Sequence, residues 1–110
     1  MTATFIHQGD AIDHVPATDL GAGAVVVQGA LVGITTRSIP AGHLGALQLR
    51  GVFDVPRVSG GVIATGTRLF WDATNQLATT DDDSGANAYL GKAVRDSGDT
   101  DATVRVRLDQ

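Results

Sequence analysis

The hydrophobic residues of the chain occur in short stretches, and most of these end at glycine, proline or aspartate. In residues 102–109, valine and leucine alternate with threonine and arginine, the two-residue period of a strand with one buried face. Residues 47–50 also alternate, whereas 24–28 and 30–36 are continuous apolar runs that predict burial on both faces or in a sandwich core. About nine or ten short strands, separated by turns every 8–12 residues or so, predict an all-β fold.

One hydrophobic core accounts for the length of the chain, because domains of about 100–150 residues are the commonest size and the sequence has 110. Valine, threonine and glycine are abundant, whereas glutamate is absent and Lys92 is the only lysine. Strong helix formers are therefore scarce, and the composition favours strands joined by tight turns. We expect residues 1–110 to form a single domain, either a β-sandwich or a partly closed β-barrel.

The segment before Gly9 has two interpretations. Residues 1–8 contain little apolar surface besides Phe5 and Ile6, too little to offset the entropy of ordering the segment alone. Either it is an arm that is mobile until it adds a strand to a partner's sheet, or residues 3–8 form a strand in the protein's own sheet. For the arm, the candidate contact residues are Thr2, Ala3, Thr4, Phe5 and Ile6.

The aromatic residues supply two further candidates. Phe70 and Trp71 are adjacent in a predicted strand, so their side chains point to opposite faces and one ring leaves the main core. That ring contacts a second cluster, another subunit or solvent. We therefore add Phe53 and Trp71 to the candidate contact residues, with packing inside the core as the alternative.

Charge and composition exclude several classes of function. The formal net charge is −4 and the isoelectric point is about 5.0, and no cluster of basic residues suggests a nucleic-acid partner. No apolar stretch is long enough to cross a membrane, and the N-terminus lacks the pattern of a secretion signal. We expect a soluble protein with no membrane partner. Without cysteine there are no disulfides and no thiolate chemistry.

Two groups of polar residues resemble metal sites superficially. His7, Asp10, Asp13 and His14 are close in sequence, but Asp13 and His14 point to opposite faces of a strand, and Gly9 interrupts the segment. We expect these side chains to be solvated at a sheet edge. Residues 81–87 are rich in oxygen ligands, but the twelfth position from Asp81 is Lys92 and not an acid. We predict no metal site, and weak binding of a divalent ion at Asp81–Asp83 is the alternative.

No motif supports catalysis or a cofactor. Ser59 lacks the preceding glycine of a nucleophile elbow. The glycines at 60, 61 and 66 are not followed by the lysine of a phosphate-binding loop, and Gly21 and Gly23 lack the third glycine of a dinucleotide motif. We expect no enzyme activity, no catalytic residue and no cofactor.

As a whole, the sequence resembles the small cement, or decoration, proteins of tailed-phage capsids, which also occur in prophages. The resemblance depends on the order and spacing of short segments over about a hundred residues, although this chain has aspartate and arginine where the family usually has glutamate and more lysine. The segments are Gln8-Gly9-Asp10, Ile12-Asp13, 29–34, 39–42, 51–56, 66–72, 91–94 and 101–108.

The resemblance implies a structural virion protein, made in the host cytoplasm, that binds the outer surface of the capsid and stabilises the expanded shell. Its implied partners are the major capsid protein and further copies of itself, with a trimer favoured over a dimer. Two alternatives are a β-module of a phage tail or baseplate and a small carbohydrate-binding β domain.

Overall fold

The computed structural model describes residues 2–109, and within them nine strands form two antiparallel sheets. Met1, the first residue of the predicted arm, and Gln110 lie outside the described residues. The prediction of an all-β fold is confirmed. The strands are β1 Ala11–His14, β2 Val25–Gln28, β3 Leu31–Ile34, β4 Gly45–Gln48, β5 Gly51–Pro56, β6 Arg68–Asp72, β7 Leu77–Thr79, β8 Ala88–Ala93 and β9 Thr103–Leu108.

The first sheet has the strand order β1-β4-β3-β2. It consists of two antiparallel pairs, β1 with β4 and β2 with β3. A single register pair, Ile34 opposite Gln48, joins the two halves. The side chains of His14 in β1 and Gln28 in β2 form a hydrogen bond of 3.0 Å, so the two edge strands of this sheet approach each other.

The second sheet has the strand order β5-β9-β8-β6-β7. Its longest pairing joins β5 to β9 over six register pairs. One parallel bridge between Arg57 and Ala78 links the end of β5 to β7. A hydrogen bond of 2.8 Å from the Val58 amide to the Ala78 carbonyl joins the same two edges. Within residues 2–109 this sheet is curled but is not a closed barrel, and with the first sheet packed against it the fold is sandwich-like.

The core lies between the sheets and consists of aliphatic side chains with one tryptophan. Val104, Val106 and Leu108 are buried and the residues between them are exposed, as the alternation predicts. From the first sheet, Val32 and Ile34 pack against this cluster. The other buried members are Val55, Ile63, Leu69, Trp71, Ala78, Leu90 and Ala93.

Two of the alternatives considered for the first third of the chain are wrong. Residues 24–28 are not buried on both faces, because β2 is an edge strand and none of its side chains is fully buried, although Val25 packs against the core as the other alternative predicts. The second apolar run, residues 30–36, is more deeply buried than the first, since three of the four residues of β3 are buried. Residues 3–8 do not form a strand of the protein's own sheet either, because the first strand begins at Ala11.

Gly91 fixes the close approach of β8 to β9. A Cβ atom at this position would overlap the main-chain carbonyl of Arg107, so no other residue fits without moving the strands apart. The register between β6 and β8 also shifts between Leu69 and Phe70, an irregularity typical of a β-bulge. Together these features set which side chains of β6, β8 and β9 lie beside one another.

Arg57 is a buried guanidinium group that binds main-chain oxygens instead of a carboxylate. It is 4% exposed, and no carboxylate of residues 2–109 lies within ion-pair distance of it. Its donors reach two loops that follow β5 and β8. The acceptors are the carbonyls of Val58 (2.8 Å), Gly60 (3.0 Å), Gly61, Ser97 (3.3 Å) and Gly98 (2.7 Å), and the Ser97 hydroxyl (2.9 Å).

Replacing Arg57 by leucine should destabilise the protein by about 3 kcal/mol or more, because several buried or partly buried carbonyls would lose their donor at once. Arg50→Leu is the control, since Arg50 is exposed and its loss should change the free energy of unfolding by less than about 0.5 kcal/mol. Urea denaturation of both variants measures the difference. Equal stabilities for the two variants would contradict the structural role of Arg57.

Trp71→Ala should cost about 3–5 kcal/mol of unfolding free energy, because Trp71 is 3% exposed and its loss leaves a large cavity. The neighbouring Phe70 is only half-buried, on the opposite face, so Phe70→Ala should cost clearly less. Thermal and chemical denaturation of the two variants test directly whether Trp71 faces the core and Phe70 faces away from it. A larger loss for Phe70→Ala would reverse our assignment of the two faces.

Candidate contact surfaces

The N-terminal candidates Thr2, Ala3, Thr4, Phe5 and Ile6 lie together in a segment outside both sheets. All residues from Thr2 to Asp10 are exposed, and the side chains of Phe5 and Ile6 are 81% and 80% exposed. Large apolar side chains on a protein surface are individually common, but two adjacent ones on a segment outside the sheets mark a candidate contact surface.

Attachment of this segment to the body begins at Asp10. The Asp10 carbonyl accepts a hydrogen bond of 2.8 Å from the Leu49 amide, and its carboxylate lies 3.7 Å from the Arg50 guanidinium. Within the described chain, no main-chain hydrogen bond joins residues 2–9 to the sheets. The Gln8 carbonyl contacts the His7 ring, and the other main-chain groups of residues 2–9 are unpaired within residues 2–109.

The other two candidates, Phe53 and Trp71, are brought together at a crevice of about 210 Å³. Phe53 is half-buried, whereas Trp71 lies in the core. The indole Nε1 is buried and has no hydrogen-bond partner among residues 2–109. Residues from both sheets complete the lining: Gly23, Ala24, Val25, Ile34, Asp54, Val55, Pro56 and Gln76.

Burial of Trp71 limits what it can contact. A ring that is 3% exposed presents no face to another chain or to a sugar. Stacking on an exposed aromatic face is what the carbohydrate-binding alternative would require of Trp71. The ring that leaves the core is Phe70, so the prediction that the two residues point to opposite faces is confirmed.

Phe70 lies on the outer face of the second sheet, the face opposite the core, in a small cluster with Tyr89 and Arg68. The Phe70 and Tyr89 rings meet edge to face with centroids 5.7 Å apart. The Arg68 guanidinium lies 5.1 Å from the Tyr89 centroid and 6.0 Å from that of Phe70, within the range of cation–π attraction.

Three basic side chains lie next to one another on the same outer face. Arg68, Lys92 and Arg107 occupy directly opposed positions on β6, β8 and β9, and we call them the basic row. Sequence reasoning missed this row because its members are far apart in the chain. The available signal was weak: basic residues at outward positions of three strands, two of them in β9, and only the register shows which of these residues are neighbours.

An ion pair between Arg105 and Asp54 lies on the outer face beside the basic row. Arg105 binds the Asp54 carboxylate through two hydrogen bonds of 2.9 and 3.2 Å. The hydrogen bond from Arg105 holds the pKa of Asp54 below its ordinary value, and the charges of Arg105 and Arg95 act in the same direction. Arg105 is thus already paired within the chain.

The acidic loop Asp81–Asp83 connects β7 to β8 and is exposed. Its fold depends on local hydrogen bonds: the Asp81 carboxylate accepts from the Asp83 amide at 2.9 Å, and the Asp81 carbonyl accepts from the Asn87 side chain at 2.9 Å. Within residues 2–109, no group of three or more histidine or acidic side chains is arranged to hold a metal ion.

Catalytic geometry is also lacking in the part of the chain that the structure describes. The rings of His7 and His43 contact main-chain carbonyls, and that of His14 contacts an amide. No histidine is hydrogen-bonded to a serine or threonine hydroxyl, as nucleophile activation requires.

Comparison with known proteins agrees with this description. Residues 2–109 include no helix of sufficient length and apolarity to span a membrane. No curated protein and no solved structure gives a significant match. A family model described as phage cement protein matches residues 6–108. This family is a class of structural phage proteins and not a class of enzymes. Because the match covers nearly the whole chain, the protein belongs to the phage cement protein family, which has a structural role at the capsid.

Proposed function

We propose that this protein binds the outer surface of an assembled phage capsid as a homo-oligomer and stabilises the expanded shell. The family match over residues 6–108 carries the proposal. The structure adds physical support: a β-sandwich with exposed contact surfaces suits a protein that acts by binding alone. The direct partner is the major capsid protein, and the protein is made in the host cytoplasm before it binds.

Multivalency explains how modest contacts can reinforce a shell. When one subunit of an oligomer binds a capsid subunit, the next contact becomes intramolecular, and the effective concentration of the second binding site rises to the millimolar range. An oligomer that spans two capsid subunits therefore resists their separation. A closed trimer or dimer on a local symmetry axis meets this requirement, and we favour the trimer.

The N-terminal segment supplies the proposed capsid contact. Its unpaired main chain can add a strand to the edge of a capsid sheet, while Phe5 and Ile6 enter an apolar groove. Thr2, Ala3 and Thr4 would extend that strand. Ordering the segment has an entropic cost that the capsid contacts must exceed, so the arm binds only where such a groove is present.

The crevice at Phe53 is the second proposed contact. Phe53 is half-buried and forms its accessible wall, while Trp71 supports it from the core side. In this arrangement Phe53 touches a capsid protein or a neighbouring copy directly, and Trp71 acts through packing. We therefore propose that Phe53 and the outward ring of Phe70, and not Trp71, make the direct contacts.

Particles that lack this protein should assemble but release their DNA at lower temperature or lower ionic strength than wild-type particles, because reinforcement is added to a closed shell. Thermal release measured by fluorescence of a DNA dye tests this. Adding purified protein to deficient particles should restore the wild-type temperature. Identical release curves with and without the protein would contradict a cementing function.

Replacing Phe5 and Ile6 by serine, or deleting residues 2–6, should weaken binding to expanded capsids by about tenfold or more, because two apolar side chains lose their buried surface. The folding and oligomeric state should not change, since the segment lies outside both sheets. Cosedimentation with purified capsids measures the affinity.

The matched control for the arm is Leu44→Ser with Val62→Ser. These side chains are 69% and 71% exposed but lie elsewhere on the surface. This variant should bind as the wild type does. If the arm variants unfold, or if they bind capsids with unchanged affinity, the arm is not the docking element.

A further inference from the structure

The basic row is an unusual arrangement in a protein with a net charge of −4. Lys92 lies directly opposite Arg68 on one side and Arg107 on the other. Like charges at opposed positions of neighbouring strands destabilise a sheet. A row of three such positions therefore has a cost in the isolated chain, and an anionic partner would relieve it.

Partners within the chain neutralise the row only in part. Lys92 lies 3.9 Å from the Asp109 carboxylate, a long contact between side chains that are each about half exposed. Arg68 packs over Tyr89, which carries no negative charge. Arg107 has no hydrogen bond or ion pair from its side chain within residues 2–109. Its donors are available to another molecule.

A matching set of negative charges is present on the same chain. Asp81, Asp82 and Asp83 are exposed, and none of them forms an ion pair within residues 2–109. This loop precedes β8 at Ala88, whereas the basic row crosses β8 at Lys92. At about 3.3 Å per residue, this places the row about 13 Å along the strand from the start of β8. The two patches therefore lie toward opposite ends of one strand.

We propose that the basic row binds the Asp81–Asp83 loop of a second copy of this chain, head to tail. The inference rests on the self-association proposed above and names the surfaces that produce it. The three carboxylates form no ion pair within residues 2–109, equal the three basic side chains in number and are opposite to them in charge. A contact between two different patches repeats from copy to copy, and it closes into a ring when the rotation permits.

A charge-reversal series on the purified protein tests this without capsids. The row variant carries Lys92→Glu and Arg107→Glu. The loop variant carries Asp82→Lys and Asp83→Asn and retains Asp81, whose carboxylate binds the Asp83 amide. Arg37→Glu with Thr36→Glu and Ser38→Glu is the control, because it makes the same charge change as the row variant at exposed positions in the loop after β3, away from the row.

Sedimentation velocity should show that the wild type self-associates and that salt weakens the association. The row and loop variants should each raise the dissociation constant by about tenfold or more, whereas the control should not. One chain with both sets of substitutions should recover part of the association, because the lysine introduced at position 82 can pair with the glutamates introduced at positions 92 and 107. Circular dichroism checks that each variant is folded. If the row variant does not fold, the milder variant Lys92→Gln with Arg107→Gln is measured in its place.

A monomeric wild type, or full association of the row variant, would overturn the proposal. So would a folded combined variant that remains monomeric. If the row variant associates normally but no longer binds capsids, the row instead meets an acidic capsid surface, and the proposal is also wrong. A monomeric wild type would also contradict the proposed homo-oligomer. Capsid binding through Phe5 and Ile6 is measured separately, so loss of self-association is distinguished from loss of capsid binding.

Discussion

The buried guanidinium of Arg57 is the interaction on which the second sheet depends. Its donors bind carbonyls in the loop after β5 and in the loop between β8 and β9, at Gly60 and Gly98 among others. Fixing these loops holds the end of β5 beside β7, where the bridge between Arg57 and Ala78 joins the edges of the sheet. A charge buried without a carboxylate is tolerable because carbonyl dipoles satisfy its donors.

A body stabilised in this way leaves its surface free for binding. The aliphatic core and the Arg57 network hold the strands in register, and that register brings Arg68, Lys92 and Arg107 into one row. The N-terminal segment extends from the other sheet with its apolar side chains exposed. Apolar contacts and charge pairs thus occupy different parts of the molecule, which allows one surface to meet the capsid and another to meet a neighbouring copy.

Local patterns predicted much of this fold. Alternation identified the inward side chains of β9, and adjacency placed Phe70 and Trp71 on opposite faces. Burial of the edge strand β2 was overestimated, because an apolar run does not reveal which strand lies at an edge. Arg57 and the basic row went unrecognised, since both depend on contacts between distant segments. Before Gly9, the sequence left two options open, and only the structure shows that residues 3–8 add no strand to the sheets.

Locating the chain on the virion tests the account most directly. Cryo-electron microscopy of complete particles resolves the outer shell and the tail in the same sample. The account predicts density with the shape of this two-sheet domain on the outer capsid surface, spanning neighbouring capsid subunits, with the N-terminal segment lying on one of them. A shell without that density, or the same density found only in the tail or baseplate, would contradict a cement function.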